Sequence, residues 1–203
     1  MTTAKQSASA LRALLTAAAI AASGFLTGCA NMYVDTATKE VPVSAMKKPA
    51  QLKPTAINFE FQTKGEPNAR ATAALKDSVN AQAAQTGLFG PATDTGSAML
   101  TIALNNIPLT DDAAAKGFAT GLTFGLAGTA VTDGYVCTVS YLPAGQTTPI
   151  VKTARHAIHT TLGNASPPPG AGAPVDADTA VRTMTRAVIS TALRDLSLDP
   201  SFN

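Results

Sequence analysis

Tryptophan is absent from this 203-residue sequence, and histidine and cysteine occur only twice each. Two histidines leave little room for imidazole chemistry. His156 and His159 lie in a β-rich run, and on a strand their side chains point to opposite faces and cannot converge on one metal; on a helix they would face together. Missing as well are the G-x-G-x-x-G order of a dinucleotide loop, a G-K-[ST] phosphate loop and a G-x-S-x-G nucleophile elbow; the "GLAG" of residues 125–128 satisfies none of them. The acidic pair Asp111 and Asp112 lacks the ligand series of a calcium loop and reads as a solvated turn. No metal, no cofactor and no enzymatic activity are expected. Charge is scarce too, at 14% of residues.

What is present begins at the N-terminus. Lys5 and Arg12 precede the uncharged run "ALLTAAAIAASGFL", which is followed by the small residues of "LTGC". That is the order of a secretory signal peptide, and its apolar part is too short to span a membrane and remain there. Leu26-Thr27-Gly28-Cys29 resembles the lipobox of bacterial lipoproteins, which implies cleavage before Cys29 and acylation of its sulfur. Two or more acyl chains hold a protein on its membrane where one holds it only marginally. Ala30, in place of Asp after the cysteine, implies by the same resemblance sorting to the outer membrane, with the protein on its periplasmic face.

Removing residues 1–28 takes away Lys5 and Arg12 and leaves 13 basic and 13 acidic residues over 175 positions, a formal net charge of zero. No basic surface for nucleic acid remains. With Cys29 acylated, Cys137 has no intramolecular disulfide partner; in "GYVCTVSYL" it reads as a small core residue.

Residues 29–55 carry Pro42, Pro49 and Pro54 among polar residues and read as a lipidated N-terminal tether, with Lys39, Lys47, Lys48 and Lys53 solvated or touching anionic headgroups. Residues 56–203 read as one α+β domain. "AINFEFQT" puts Ile57, Phe59 and Phe61 on one face of a strand. Asn68 caps a helix with Ala71, Leu75, Val79 and Ala83 at four-residue spacing, ended by Gly87. "AMLTIALNNI" is a strand covered on both faces, "GYVCTVSYLPAGQTTPIVKTARHAIHTTL" an antiparallel hairpin, and Asp176 caps a last helix. The expected fold is an antiparallel sheet of about four strands with two helices packed on one face.

Between the second strand and the hairpin lies "GFATGLTFGLAGTAVTDGYVC". Gly117, Gly121 and Gly125 recur every four residues among Phe118, Leu122, Phe124 and Leu126, and no charge occurs between Lys116 and Asp133. As a helix the uncharged run would reach about 24 Å against a hydrocarbon core of about 30 Å, which argues against a span. A water-exposed helix would suffer roughly 1 kcal/mol per interior glycine. Helix and strand both remain open for residues 117–132. The segment needs apolar surroundings, either the protein's own sheet or a membrane or partner, and these seven residues form a candidate packing or docking segment.

The lipobox, the helix ending in "TGLFG", and "LTFGL" at 122–126 followed by Asp133 and Tyr135 are together similar to a loose group of small proteobacterial outer-membrane lipoproteins of uncharacterised role. The helix-on-sheet layout also resembles, remotely, lipopolysaccharide-assembly lipoproteins and the auxiliary lipoproteins of envelope transporters. These resemblances imply a membrane-anchored, non-catalytic binding or assembly component of the cell envelope, partnered by the membrane through its lipid and by an envelope protein. The alternative is an envelope hydrolase. A cleft in which His156 or His159 came within hydrogen-bond reach of Asp and Ser would favour that alternative.

Overall fold

The computed structural model describes residues 30–93, 96–109, 130–162 and 165–202. Along the chain run β1 (Ala30–Asp35), a 3-10 turn (Val43–Ala45), β2 (Lys53–Thr63), β3 (Glu66–Pro67), α1 (Ala69–Gln85), β4 (Phe89–Gly90), β5 (Ala98–Leu109), β6 (Ala130–Leu142), β7 (Ile150–Leu162), β8 (Ala171–Val175) and α2 (Ala177–Ser197).

The sheet corrects the expectation of about four antiparallel strands. It has eight strands in the order β3-β2-β5-β6-β7-β1-β8, with β4 pairing β2 off that path, and it is mixed. β2 and β5 are parallel over nine residue pairs, from Thr55↔Ala98 to Thr63↔Asn106. The reason lies in the connection: α1 carries the chain back across the sheet, so the next strand starts from the same end as β2. β4 also runs parallel to β2, whereas β5 to β6, β6 to β7, and β1 to both β7 and β8 are antiparallel.

Strand alternation sorts the side chains. Phe59 and Phe61 of β2, Leu100, Ile102 and Leu104 of β5, Cys137, Val139 and Tyr141 of β6, and Ile158 of β7 are buried in one cluster with Leu75, Val79 and Ala83 of α1 and Met184, Val188, Ile189, Leu193 and Leu196 of α2. Both helices therefore cover the same face. At its lower end Tyr141 meets Phe202 edge-on at 5.0 Å between ring centroids, and Phe89 meets Phe202 at 5.9 Å, a favoured aromatic geometry.

The helix ends follow their sequence signals. Asn68 Oδ1 accepts from the Ala71 amide at 3.0 Å, and Asp176 Oδ1 from the Thr179 amide at 2.9 Å. At the other end of α1 the Lys48 ammonium donates to the Thr86 carbonyl, and Gly87 takes a φ of 62° that suits glycine.

Residues 30–35, read from sequence as part of the tether, form β1, seated between β7 and β8. The chain that follows is laced to α2. The Val41 amide donates to Ser190 Oγ at 2.9 Å, the Lys47 amide to Ser197 Oγ at 3.1 Å, Glu40 and Arg186 pair at 2.7 Å, and Met46 is buried. Proline keeps this stretch extended, but hydrogen bonds and one buried methionine fix it to the domain.

The register places several chain positions at one rim. Ala30 lies opposite Leu162, Ala130 opposite Thr161, and Leu109 opposite Thr132. The start of β1, the end of β5, the start of β6 and the end of β7 thus share one edge of the sheet, together with the turn at Lys64 and Gly65 that follows β2.

Candidate functional site

Cys29 and the seven residues of the candidate docking segment, Gly117, Phe118, Gly121, Leu122, Phe124, Gly125 and Leu126, lie outside the described residues, as do Asp111 and Asp112. What the structure does bring together is built on β7 and its two neighbours.

His156 and His159 are both fully buried, on opposite faces of β7. On the face away from the helices, His159 sits between β1 and β6. Its Nε2 lies 3.3 Å from Asp35 Oδ2, and its Nδ1 lies 3.0 Å from Thr132 Oγ1. A carboxylate only accepts, so Nε2 donates to Asp35; in the neutral ring Nδ1 then accepts from the Thr132 hydroxyl. Asp35 also accepts from the Ala37 amide at 2.7 Å. Burial pushes the Asp35 carboxyl upward, but these hydrogen bonds and the nearby imidazoles outweigh it and hold the group below the ordinary carboxylate value.

The three side chains form a buried polar link across β1, β7 and β6. The arrangement meets the hydrolase criterion only in part. His159 reaches an Asp, but the hydroxyl is a threonine's, and His159, Asp35 and Thr132 are respectively 0%, 2% and 6% exposed. A nucleophile must touch its substrate, and Thr132 Oγ1 faces His159 inside the fold. The set joins three strands, and among its members Asp35 borders a pocket.

His156 faces the helices. The Ala157 amide donates to its Nδ1 at 2.8 Å, which puts the proton of the neutral ring on Nε2. That Nε2 is buried and makes no hydrogen bond among the described residues. Burial lowers the ring's pKa from the ordinary histidine value; the Ala157 and Thr38 backbone and Asp35 oppose the shift without reversing it. His156 lines a pocket of about 330 Å³ between β1, β8 and α2, closed on one side by the stretch Thr36, Thr38, Lys39 and Glu40. A larger groove of about 460 Å³ runs between α1 and α2, but its charged residues are paired, Arg186 with Glu40 and Arg182 with Asp178.

Among the described residues no three His, Cys, Asp or Glu side chains gather in the manner of a metal site, and no helix is long and apolar enough to cross a membrane. Cys137 is wholly buried, and burial pushes its thiol up to about 12.

Asp35, Thr132 and Thr38 went unrecognised in the sequence. A weak signal existed for the first: Tyr33 and Asp35 alternate with Met32 and Val34 in "MYVD", as on a strand. Nothing local pairs it with His159. The chain matches no family model and no curated protein sequence.

Proposed function

We propose that the protein is a membrane-anchored, non-catalytic binding or assembly component of the cell envelope, held by acyl chains on Cys29. The lipobox-like sequence supports the anchor. The observation that carries the reading further is the position of β1, whose first residue follows Cys29 directly and is paired within the sheet. An acyl group on Cys29 would leave no tether between bilayer and domain. The rim holding Ala30, Leu109 and Ala130 would face the headgroups, and Leu109 and Ala130, the described residues on either side of the glycine-rich stretch in sequence, both lie on it. Lys64, exposed in the turn on this rim, adds a cation suited to anionic lipid.

Replacement of Cys29 by Ser tests the anchor. The expected result is release of the protein from membranes into the soluble fraction after cell lysis. Membrane retention that persists in the variant and resists high salt would remove the lipid-anchor reading. A second variant, Cys29→Ser with Phe118→Asp and Phe124→Asp, reports on the segment: any residual vesicle binding of the first variant is expected to fall in the second.

A further inference from the structure

A buried hydrogen-bond donor without a partner is destabilising, so His156 Nε2 calls for an occupant. The pocket that His156 lines is walled by apolar groups, Val34 of β1, Ala173 and Val175 of β8 and Ala187 of α2. A lone water there would need two to four polar partners, and the Thr38 backbone, which interacts with the ring, is one polar group at hand. The volume of about 330 Å³ falls in the range of small-molecule sites, where apolar walls supply affinity and one or two polar atoms fix orientation.

The charges nearby bear on what the ligand carries. Asp35 borders the pocket, and at its mouth Lys39 and Glu40 stand side by side, with Glu40 paired to Arg186. A ligand carboxylate entering toward His156 would meet Asp35 as a like charge, and a cation would meet an N–H donor. A neutral acceptor meets neither penalty.

We propose that this pocket binds a small, neutral, largely apolar molecule bearing a carbonyl oxygen, such as an acyl ester or amide, which accepts the His156 Nε2–H. The site opens between the edge strand β8 and α2. It stands whether or not Cys29 is acylated.

The test uses the full chain labelled with 15N-histidine and titrated with methyl hexanoate, and separately with sodium hexanoate. The expected result is a saturable change in the His156 Nε2 resonance with the ester, no change at His159, and binding of the carboxylate weaker by roughly tenfold or more. His156→Phe should abolish saturable ester binding. Because a core variant can fail to fold, Ala173→Phe on the exposed side of the pocket provides the second check: it should block the ester while leaving the His159 resonances in place. An ester titration that leaves Nε2 unmoved, an equal affinity for the carboxylate, or ester binding that survives Ala173→Phe would each overturn the proposal.

Discussion

Asp35 Oδ2 and His159 Nε2 meet at 3.3 Å although 124 residues separate them, and both side chains are closed off from solvent. A buried polar pair of this kind contributes little net stability compared with a well-packed apolar pair, yet removing one partner strands the other. Asp35→Ala leaves a buried imidazole N–H without its acceptor and opens a space between β1 and β7. The expected loss is about 3–5 kcal/mol if the pair is ionised and about 1–3 kcal/mol if the ring is neutral. Urea unfolding of the wild type and the variant measures it. An unchanged midpoint would mean that β1 is held by its backbone ladder alone.

Stability should fall on the acid side in two stages. His156 binds a proton less readily when folded than when unfolded, because burial lowers its pKa. The unfolded chain therefore takes up more protons just below about pH 6.5, and stability declines as the pH drops through that window. Asp35 is also lowered, for the reasons given above, so its contribution is full above about pH 4 and is lost below it. Urea midpoints between pH 3 and pH 8 should show both declines. In His156→Leu the slope below pH 6.5 should flatten while the lower one persists; an unaltered upper slope would assign it to another group.

Cys137 should be inert in the native protein. Its side chain is wholly buried and its thiol is pushed up to about 12, so the thiolate that reacts with alkylating reagents is scarce at neutral pH. Iodoacetamide at pH 8 is expected to modify Cys137 only in denaturant, as followed by mass. Labelling under native conditions would show that β6 opens locally.

The elements that sequence patterning made legible are those that carry their signals within a few residues. Asn68 and Asp176 cap α1 and α2, and the turn "PAGQTTP" joins β6 to β7 as a hairpin. The strands that escaped have no such local mark. β8 is "AGAPV", poor in β-branched residues and containing a proline, and survives as a short edge strand because β1 pairs with it. β1 has six residues, and its partners lie at 158–162 and 171–175, far beyond any local window. Reading residues 29–55 as a tether followed from its prolines, whereas contacts with α2 decide its actual path. Of the polar side chains, the opposite facing of His156 and His159 follows from strand alternation. The company of Asp35 and Thr132 around His159 is a product of strand order, which periodicity does not encode.

The placement of β1 also sets a timetable for folding. The chain emerges from synthesis N-terminus first, so β1 (Ala30–Asp35) is made before either neighbour that hydrogen-bonds to it, and β8 (Ala171–Val175) comes far later in the chain. Closing a loop of more than 100 residues is slow compared with forming a hairpin or a helix. The β6–β7 hairpin and the β2-α1-β5 unit can assemble early, but the sheet is incomplete until the first strand is captured by the last two. Through that interval β7 offers an unpaired edge, and the N-terminal segment stays uncommitted for as long as the C-terminal strands have yet to arrive.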